Sequence, residues 1–290
     1  MLKEIRRIAG CLRDAVRYGW RCCRGVHAAI GSGDILDSYV PSAPGHQNAL
    51  DIFAGEWHSA MPEAAGALEA GPLRLFDDVR IRWAVDLIGG VKGRTVLELG
   101  PLEAGHTILL EELGAASVLA VEANRRAFLK CLVVKEVAGL QRSRFLLGDC
   151  AEHLRATGEQ YDICLASGIL YHMVNPAELI RLIAGHCRHA IIWTHYFDED
   201  RVRANSAIAH KFTGPAPAEH EGFRHTLHRY EYKAAIQGLG FPGGSADHSQ
   251  WMSRDDLLAC MKHFGFTSLA VEYEQPDHPN GPALVVIGSR

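Results

Sequence analysis

The chain has no excess of positive charge that could hold a phosphate backbone. Its 290 residues include 30 lysines and arginines against 34 aspartates and glutamates, a formal net charge of −4 at pH 7. Proteins that bind nucleic acid generally present a basic surface. The overall charge therefore disfavours a nucleic acid partner. The sequence also shows no internal repeat and no charged low-complexity tail.

The cysteines do not form the pattern of a disulfide framework. Eight of them are scattered along the chain, Cys22 and Cys23 are adjacent, and no pair has zinc-finger spacing. Scattered cysteines of this kind are typical of reduced, buried thiols. We therefore expect a cytoplasmic protein, and the chain's hydrophobic content of 48% is enough to bury a sizeable core.

The first 30 residues lack the apolar core of a signal peptide and are too charged to span a bilayer. Basic and apolar residues alternate there at helical spacing, which predicts an amphipathic basic helix over residues 1–30. Such a helix fits three roles: packing on the domain or on a partner subunit, which we favour, contact with a membrane surface, and contact with RNA. The sequence allows a homodimer without requiring one.

The strongest positive signal is a strand, a glycine turn and a second strand that ends in an acid. Residues 95–97 and 118–121 are short apolar runs of the kind found in buried parallel strands. Gly100 and Gly105 bracket a turn where a ligand can approach the backbone. Glu122 follows about twenty residues later, where a carboxylate can accept hydrogen bonds from both ribose hydroxyls. This order predicts a site for a nucleoside-bearing cofactor.

One departure from the dinucleotide pattern narrows that prediction. The turn reads Gly-Pro-Leu-Glu-Ala-Gly, so the three-glycine pyrophosphate fingerprint is missing and a dinucleotide is disfavoured. Residues 106–113 after the turn predict an amphipathic helix, and residues 73–88 before the first strand predict another.

Glu98, Leu99 and Gly100 resemble the first motif of the class I S-adenosylmethionine-dependent methyltransferases, in which an acid and an apolar residue precede a glycine-rich turn. Four later segments resemble further parts of that family in the same order. They are residues 144–149, 161–172, 189–195 and 251–266. The match extends over roughly residues 75–288. Each motif is weak alone, and their order and spacing make the resemblance specific.

The resemblance implies an α/β architecture: a Rossmann-like seven-stranded class I methyltransferase fold. We expect the amphipathic helix over 1–30, a linker and aromatic lid segment over 31–72, and the methyltransferase domain over 73–290. The fifth strand normally passes to the next helix within a few residues. Here residues 196–250 intervene, and an insertion at the carboxyl edge of the sheet covers the ligand crevice. We expect it to cover the substrate.

The resemblance also implies S-adenosylmethionine as the cofactor. By this comparison Glu98 binds the methionine part, Glu122 the ribose and Asp149 the adenine end, although Asp149 can also cap the helix that follows it. The residues predicted to bind the cofactor are Glu98, Gly100, Pro101, Gly105, Glu122, Ala123, Asp149, Cys150 and Ser167.

The acceptor is expected at the loop after the fourth strand, Ser167 to His172. A sulfonium methyl is already activated, so the protein mainly aligns a nucleophile and, for a hydroxyl, removes a proton. His172 is the leading candidate for the base because imidazole titrates near neutrality; its alternative role is a hydrogen bond to a neighbouring loop. Tyr171 and His195 complete the predicted catalytic set.

The same loop bears on the class of acceptor. It lacks the Asn-Pro-Pro-Tyr motif of methyltransferases that act on adenine or glutamine amides, and its Gly-Ile-Leu-Tyr-His run resembles wobble-uridine tRNA-modifying enzymes and several small-molecule methyltransferases. Because no basic patch lies beyond the first 25 residues, we rank a small-molecule acceptor first and RNA second. A non-catalytic nucleoside-binding module is the third reading, and an aminopropyl transferase of the same fold is a further one.

Residues outside the core motifs are predicted to contact the substrate. They are Trp57, Tyr196, His225, His228 and Trp251. Phe53 and Trp57 form either a lid or a small core of their own. Two of the histidines, His225 and His228, are spaced to share one helical face and could approach a metal with His195 or His248. The spacing matches no compact zinc motif, so we assign no metal ligand.

Overall fold

The computed structural model describes residues 39–238, 241 and 243–290, so the helix predicted over 1–30 lies outside it. The helices are α1 (His46–Asp51), α2 (Val79–Leu87), α3 (Gly105–Glu112), α4 (Arg125–Val137), α5 (Cys150–Ala156), α6 (Pro176–His186), α7 (Glu199–Ala204), α8 (Ser206–Ala209) and α9 (Arg254–His263). The strands are β1 (Thr95–Leu99), β2 (Ser117–Glu122), β3 (Ser143–Leu147), β4 (Tyr161–Ser167), β5 (Cys187–His195), β6 (Phe212–His220), β7 (Phe223–Glu231), β8 (His248–Met252), β9 (Ser268–Gln275) and β10 (Ala283–Ser289).

Seven strands form one sheet in the order β3-β2-β1-β4-β5-β10-β9. β1 to β5 run parallel, and β10 runs antiparallel to both of its neighbours. The strand order reverses between β1 and β4, and in open α/β sheets the ligand crevice lies at such a switch point, outside the carboxyl ends of the strands. The predicted seven-stranded Rossmann-like fold is confirmed.

The central strands are apolar along both faces because helices cover the sheet on both sides. Alternate residues of β5 illustrate this: Ile191 packs with α2 and α3, whereas Ile192 packs with α6 and α9. A third apolar cluster lies where α1 and α4 meet the β2 and β3 end of the sheet. None of the helices in the described part of the chain has the length and hydropathy needed to cross a bilayer.

Two helix starts predicted from sequence are confirmed by their caps. The Asn175 side chain accepts a hydrogen bond from the Glu178 amide, with Pro176 in the first turn of α6. Ser253 accepts from the amide of Asp256 at the start of α9.

Three predictions about helices were wrong in detail. The helix expected over 73–88 is divided, because Asp78 caps α2 after a short 3-10 turn over Leu75–Asp77. The helix predicted over 106–113 is α3, but it is not amphipathic. It is buried on all sides except at Glu112, since it lies between the sheet and that 3-10 turn. Trp251, expected in the last helical motif, lies in β8.

The segment after β5 that the sequence predicts as an insertion is folded. After α7 and α8 it forms a three-stranded antiparallel sheet in the order β6-β7-β8. The predicted helical face shared by His225 and His228 was wrong: both residues are in β7, and residues three apart on a strand point to opposite faces.

Candidate active site

The turn after β1 is held by left-handed backbone at three positions. Gly100, Leu102 and Ala104 have φ angles of 68°, 56° and 60°. At Gly105 a Cβ would lie 2.5 Å from the Cβ of Leu75. Packing of α3 against the preceding 3-10 turn thus explains why residue 105 is a glycine. The predicted contact of Gly105 with the cofactor stays a prediction.

Two buried acids, one before this turn and one within it, have different partners. Glu98, at the end of β1, accepts a hydrogen bond from the Thr107 hydroxyl at 2.5 Å, and burial raises its pKa. Glu103, which the sequence reasoning missed, accepts from the amides of His58 and Ser59 and from Lys130 Nζ at 2.8 Å. The side chain of Glu103 is only 1% exposed. It anchors the segment before α2 onto the turn after β1.

The two remaining predicted acids sit at the ends of β2 and β3. Glu122 accepts hydrogen bonds from the amides of Leu102 at 3.1 Å and Asn124 at 2.8 Å, and burial raises its pKa. Asp149 Oδ1 caps α5 by accepting from the amides of residues 151 and 152. Glu122 is followed by Ala123 in the loop to α4. Next to Asp149, Cys150 is buried, which raises the pKa of its thiol to about 12.

This donor set fits the predicted cofactor. A carboxylate has more acceptor positions than the two amides that Glu122 accepts from, so a diol can still donate to it. Asp149 is exposed, and its capping bonds use only Oδ1. Gly100 adopts its positive φ at the switch point, with Ile169 in van der Waals range of the position a Cβ would take. A nucleoside with a charged amino acid end matches this arrangement.

Tyr171 is the centre of an aromatic cluster at the carboxyl ends of β4 and β5. It lies in a 3-10 turn over Leu170–His172, and its ring centroid is 4.1 Å from that of His172 and 4.6 Å from that of His195. Trp193 and Trp251 approach the same ring at 5.9 and 6.0 Å. The structure therefore brings together all three predicted catalytic residues and one of the predicted substrate residues.

The two imidazoles beside Tyr171 are held differently. His172 Nδ1 is 2.7 Å from the Tyr232 hydroxyl. His195 Nδ1 is 2.8 Å from the carbonyl oxygen of Gly281 and 3.2 Å from that of Pro282. Burial lowers the pKa of His172 to about 4 and that of His195 to about 3, so both rings are neutral at pH 7.

The insertion supplies one wall of this cluster. Trp251 stacks on His195 with an interplanar angle of 6°, and Tyr230 stacks on Trp251 at 8°. Gly281 allows this packing, because its φ is +110° and a Cβ there would lie 2.8 Å from the Trp251 ring. The wall is therefore a continuous aromatic stack from β7 through β8 to β5.

The other predicted substrate residues lie apart from this stack. Tyr196 is buried and its hydroxyl donates to Glu274. His225 stacks on Phe223, and His228 stacks on Phe197. Trp57 is 6% exposed and donates to the Leu50 carbonyl, in the apolar cluster with Phe53. That position favours the small-core reading of Trp57 over the lid reading.

Sequence reasoning missed a polar group beside the Trp193 ring of this cluster. Asp78 accepts hydrogen bonds from Arg80 and lies 3.0 Å from His106 Nε2, contacts that hold the pKa of the Asp78 carboxyl well below its usual range despite its burial. The Arg80 guanidinium lies 5.0 Å from the Trp193 ring, and His278 packs against His195. These residues lie in segments without a motif, so only tertiary structure reveals them.

Metal ligation gains no support from the described residues. Within them, no three histidine, cysteine, aspartate or glutamate side chains are grouped so that they could hold an ion.

No family model matches the chain. Among curated proteins, the ubiquinone biosynthesis O-methyltransferase of Aeromonas salmonicida is 28% identical over 121 residues. That match covers 40% of this chain and 48% of the relative, so the chain spans about half of the relative's length.

Solved structures share the fold more extensively. The N-terminal domain of EvdMO1, crystallised in the presence of SAH and D-fucose, has a TM-score of 0.64 at 21% identity, over 84% of this chain and 94% of that one. A methyltransferase from Mesorhizobium loti has a TM-score of 0.50 at 14% identity, over 74% of this chain and 100% of that one. The chain thus has the fold of an S-adenosylmethionine-dependent methyltransferase of known structure, and over 40% of its length it is similar to a curated O-methyltransferase.

Proposed function

We propose that this chain is a methyltransferase that transfers the methyl group of S-adenosylmethionine to a hydroxyl oxygen of a small-molecule acceptor, with His195 as the base. The observation that carries the proposal is the pair of backbone carbonyls at His195 Nδ1. A carbonyl oxygen can only accept a hydrogen bond, so Nδ1 holds the ring proton and Nε2 holds the lone pair. A neutral imidazole fixed in this way can take a proton from a hydroxyl group.

The surroundings of His195 support a small acceptor with a flat or ring-shaped body. Tyr171, Trp193 and Trp251 present aromatic surfaces around the imidazole. Such surfaces bind aromatic rings by stacking or edge contacts and bury much of a small ligand. Two relatives are consistent with a hydroxyl acceptor, one being named an O-methyltransferase and the other crystallised in the presence of D-fucose.

Some of the chain's side chains would bind the cofactor, and others take part in proton transfer. When bound, S-adenosylmethionine supplies a sulfonium-activated methyl group. Glu98, Glu122 and Asp149 would hold this cofactor, the last two through the ribose and adenine ends. His195 Nε2 accepts the hydroxyl proton, and Tyr171 fixes the position of the imidazole by packing on it. Its low pKa keeps His195 unprotonated at neutral pH, so no proton must leave the base first.

The test combines a binding measurement with a product analysis. Titration calorimetry with S-adenosylhomocysteine should show micromolar binding, and catechol or D-fucose incubated with S-adenosylmethionine should give a methyl ether detectable by mass spectrometry. Absence of binding would remove the cofactor assignment. Transfer of label into total tRNA, with none into the two small acceptors, would replace this proposal by an RNA-modifying function.

We also propose that the protein is located in the cytoplasm. The cysteines at positions 131, 150, 164, 187 and 260 are free and buried, which suits the reducing conditions of the cytoplasm.

A further inference from the structure

A second imidazole near His195 has the opposite tautomer. His278 Nδ1 is 3.2 Å from the backbone nitrogen of Asn280, and a backbone N–H can only donate. His278 therefore accepts at Nδ1 and holds its ring proton on Nε2, whereas His195 donates at Nδ1 and has its lone pair on Nε2. The two ring centroids are 5.0 Å apart. One free ring nitrogen is thus an acceptor, and its neighbour is a donor.

From this pair we infer that the acceptor is a vicinal diol: His195 Nε2 accepts the proton of the hydroxyl that is methylated, and His278 Nε2–H donates to the oxygen on the adjacent carbon. The inference rests on the proposed O-methyl transfer and names its substrate class. A single alcohol would leave the His278 donor without a partner in the bound state, and an unpaired polar group in a buried site is costly.

The sheet topology places both imidazoles at the same edge. β10 pairs antiparallel with β5, and Ala283 at its start is opposite His195. The loop before β10, which carries His278, therefore lies at the carboxyl end of β5, where acceptors bind in such sheets. Neither Nε2 atom has a hydrogen-bond partner in the described part of the chain. The acceptor at His195 Nε2 and the donor at His278 Nε2 are therefore both available to a diol.

Arg80 reinforces the assignment of His278. Burial and the neighbouring Arg80 charge lower the pKa of His278 to about 4, so its ring stays neutral and keeps a single proton. Arg80 is itself bound to Asp78 through Nε and Nη2, and its guanidinium carbon lies 5.0 Å from the Trp193 ring centroid.

The transfer balances with these groups alone. The hydroxyl oxygen forms the new bond to the methyl carbon, its proton passes to His195 Nε2, and the carbon–sulfur bond of the sulfonium breaks with its electron pair going to sulfur. The second oxygen keeps its proton and gains only the hydrogen bond from His278. The product is a mono-methyl ether beside a free hydroxyl group.

Matched acceptors test the inference and separate aromatic from aliphatic diols. Initial rates of S-adenosylhomocysteine formation are measured with catechol against phenol, and with cis-1,2-cyclohexanediol against cyclohexanol. We expect the diol of at least one pair to have a kcat/KM about tenfold or more above that of its mono-alcohol. Equal values, or no transfer in either pair while S-adenosylhomocysteine still binds, overturn the inference. Loss of S-adenosylhomocysteine binding would instead indicate failure of the proposed function.

Variants and a spectroscopic measurement assign the effect to His278. His278→Phe keeps a ring and removes the donor, so the preference for the diol should fall about tenfold. His278→Gln restores an N–H donor and should recover part of it, and His46→Gln, exposed on α1, is the matched control. Long-range proton–nitrogen NMR of histidine-labelled protein should show the Nε2–H form for His278. An Nδ1–H form, or an unchanged preference in His278→Phe, would refute the inference.

Discussion

The two halves of the site are built in contrasting ways. The proposed cofactor half, residues 95–149, consists of consecutive strand and loop segments, in which Glu122 and Asp149 accept hydrogen bonds from nearby backbone amides. The acceptor half combines the ends of β4 and β5, the sheet of the insertion and the loop before β10. Its imidazoles and rings come from segments up to about a hundred residues apart, as the 106-residue span from His172 to His278 illustrates.

That contrast predicts which property a substitution in each half should alter. Glu122 and Asp149 accept from backbone amides and Glu103 also binds Lys130, so substitution of these acids should alter binding of the cofactor or stability. Side chains in the acceptor half interact mainly with other rings, so their substitution should alter turnover and leave cofactor affinity unchanged. Variants in both halves therefore test whether effects on turnover are separate from effects on cofactor binding and stability.

The largest effect is expected at His195. His195→Gln should lower kcat by about 10²-fold to 10⁴-fold because the proton acceptor is lost. S-adenosylhomocysteine affinity, measured by calorimetry, should remain near wild type. His172→Gln is the matched variant beside the same Tyr171 ring, and we expect a fall of less than about tenfold there, since Tyr232 occupies its Nδ1. A larger loss in His172→Gln would return the role of base to His172, the candidate favoured by the sequence.

A large stability effect is expected at Glu103 in the cofactor half. Glu103→Gln leaves the buried Lys130 ammonium without its carboxylate, so the free energy of unfolding in urea should fall by about 3 kcal/mol at pH 7. Glu136→Gln, exposed on α4, is the control.

The pH dependence of the same variant gives a second readout. The pKa of Glu103 is lowered from 4.5 to about 2, chiefly by hydrogen bonds and the Lys130 charge, which together outweigh its burial. A lowered pKa contributes stability that is complete above pH 4.5 and disappears as the pH falls towards 2. Wild type should therefore lose more stability than Glu103→Gln across that window. Parallel curves would show that the carboxylate is not ionised in the native state.

A smaller effect is expected at Glu122. Glu122→Gln should weaken S-adenosylhomocysteine binding by about 2 kcal/mol, because an amide replaces one of the acceptor oxygens offered to the ribose. Calorimetry measures this change, and Glu272→Gln, exposed on β9, should bind as wild type does. Undiminished affinity in Glu122→Gln would mean that the carboxylate serves only the amides of Leu102 and Asn124.

The sequence allowed the fold, the position of Glu122 and the helix caps to be predicted because their determinants are local. Apolar runs, the acid at the end of β2 and the caps at Asn175 and Ser253 each act within a few residues. Asp149 was expected to cap a helix, and it does.

Several residues of the acceptor half escaped prediction because their contacts are not local. Nothing around His278 marks it as a neighbour of His195; only the antiparallel pairing of β10 with β5 brings them together. The histidines of β7 were assigned to a helix because a spacing of three fits a helical face, whereas cross-strand pairing with β8 decides the outcome. Arg80 and Asp78 likewise have no sequence signal beyond the cap that Asp78 provides for α2.

The carbonyl groups of Gly281 and Pro282 that fix the tautomer of His195 also imply an order of events during synthesis. Every element of the cofactor half leaves the ribosome before residue 281 does, so a growing chain can complete the nucleoside-binding turn while His195 still lacks its partners. Domains of this size often fold through such partly assembled species. In that order of synthesis, the carbonyl partners of His195 are the last part of the candidate site to become available, together with the loop before β10.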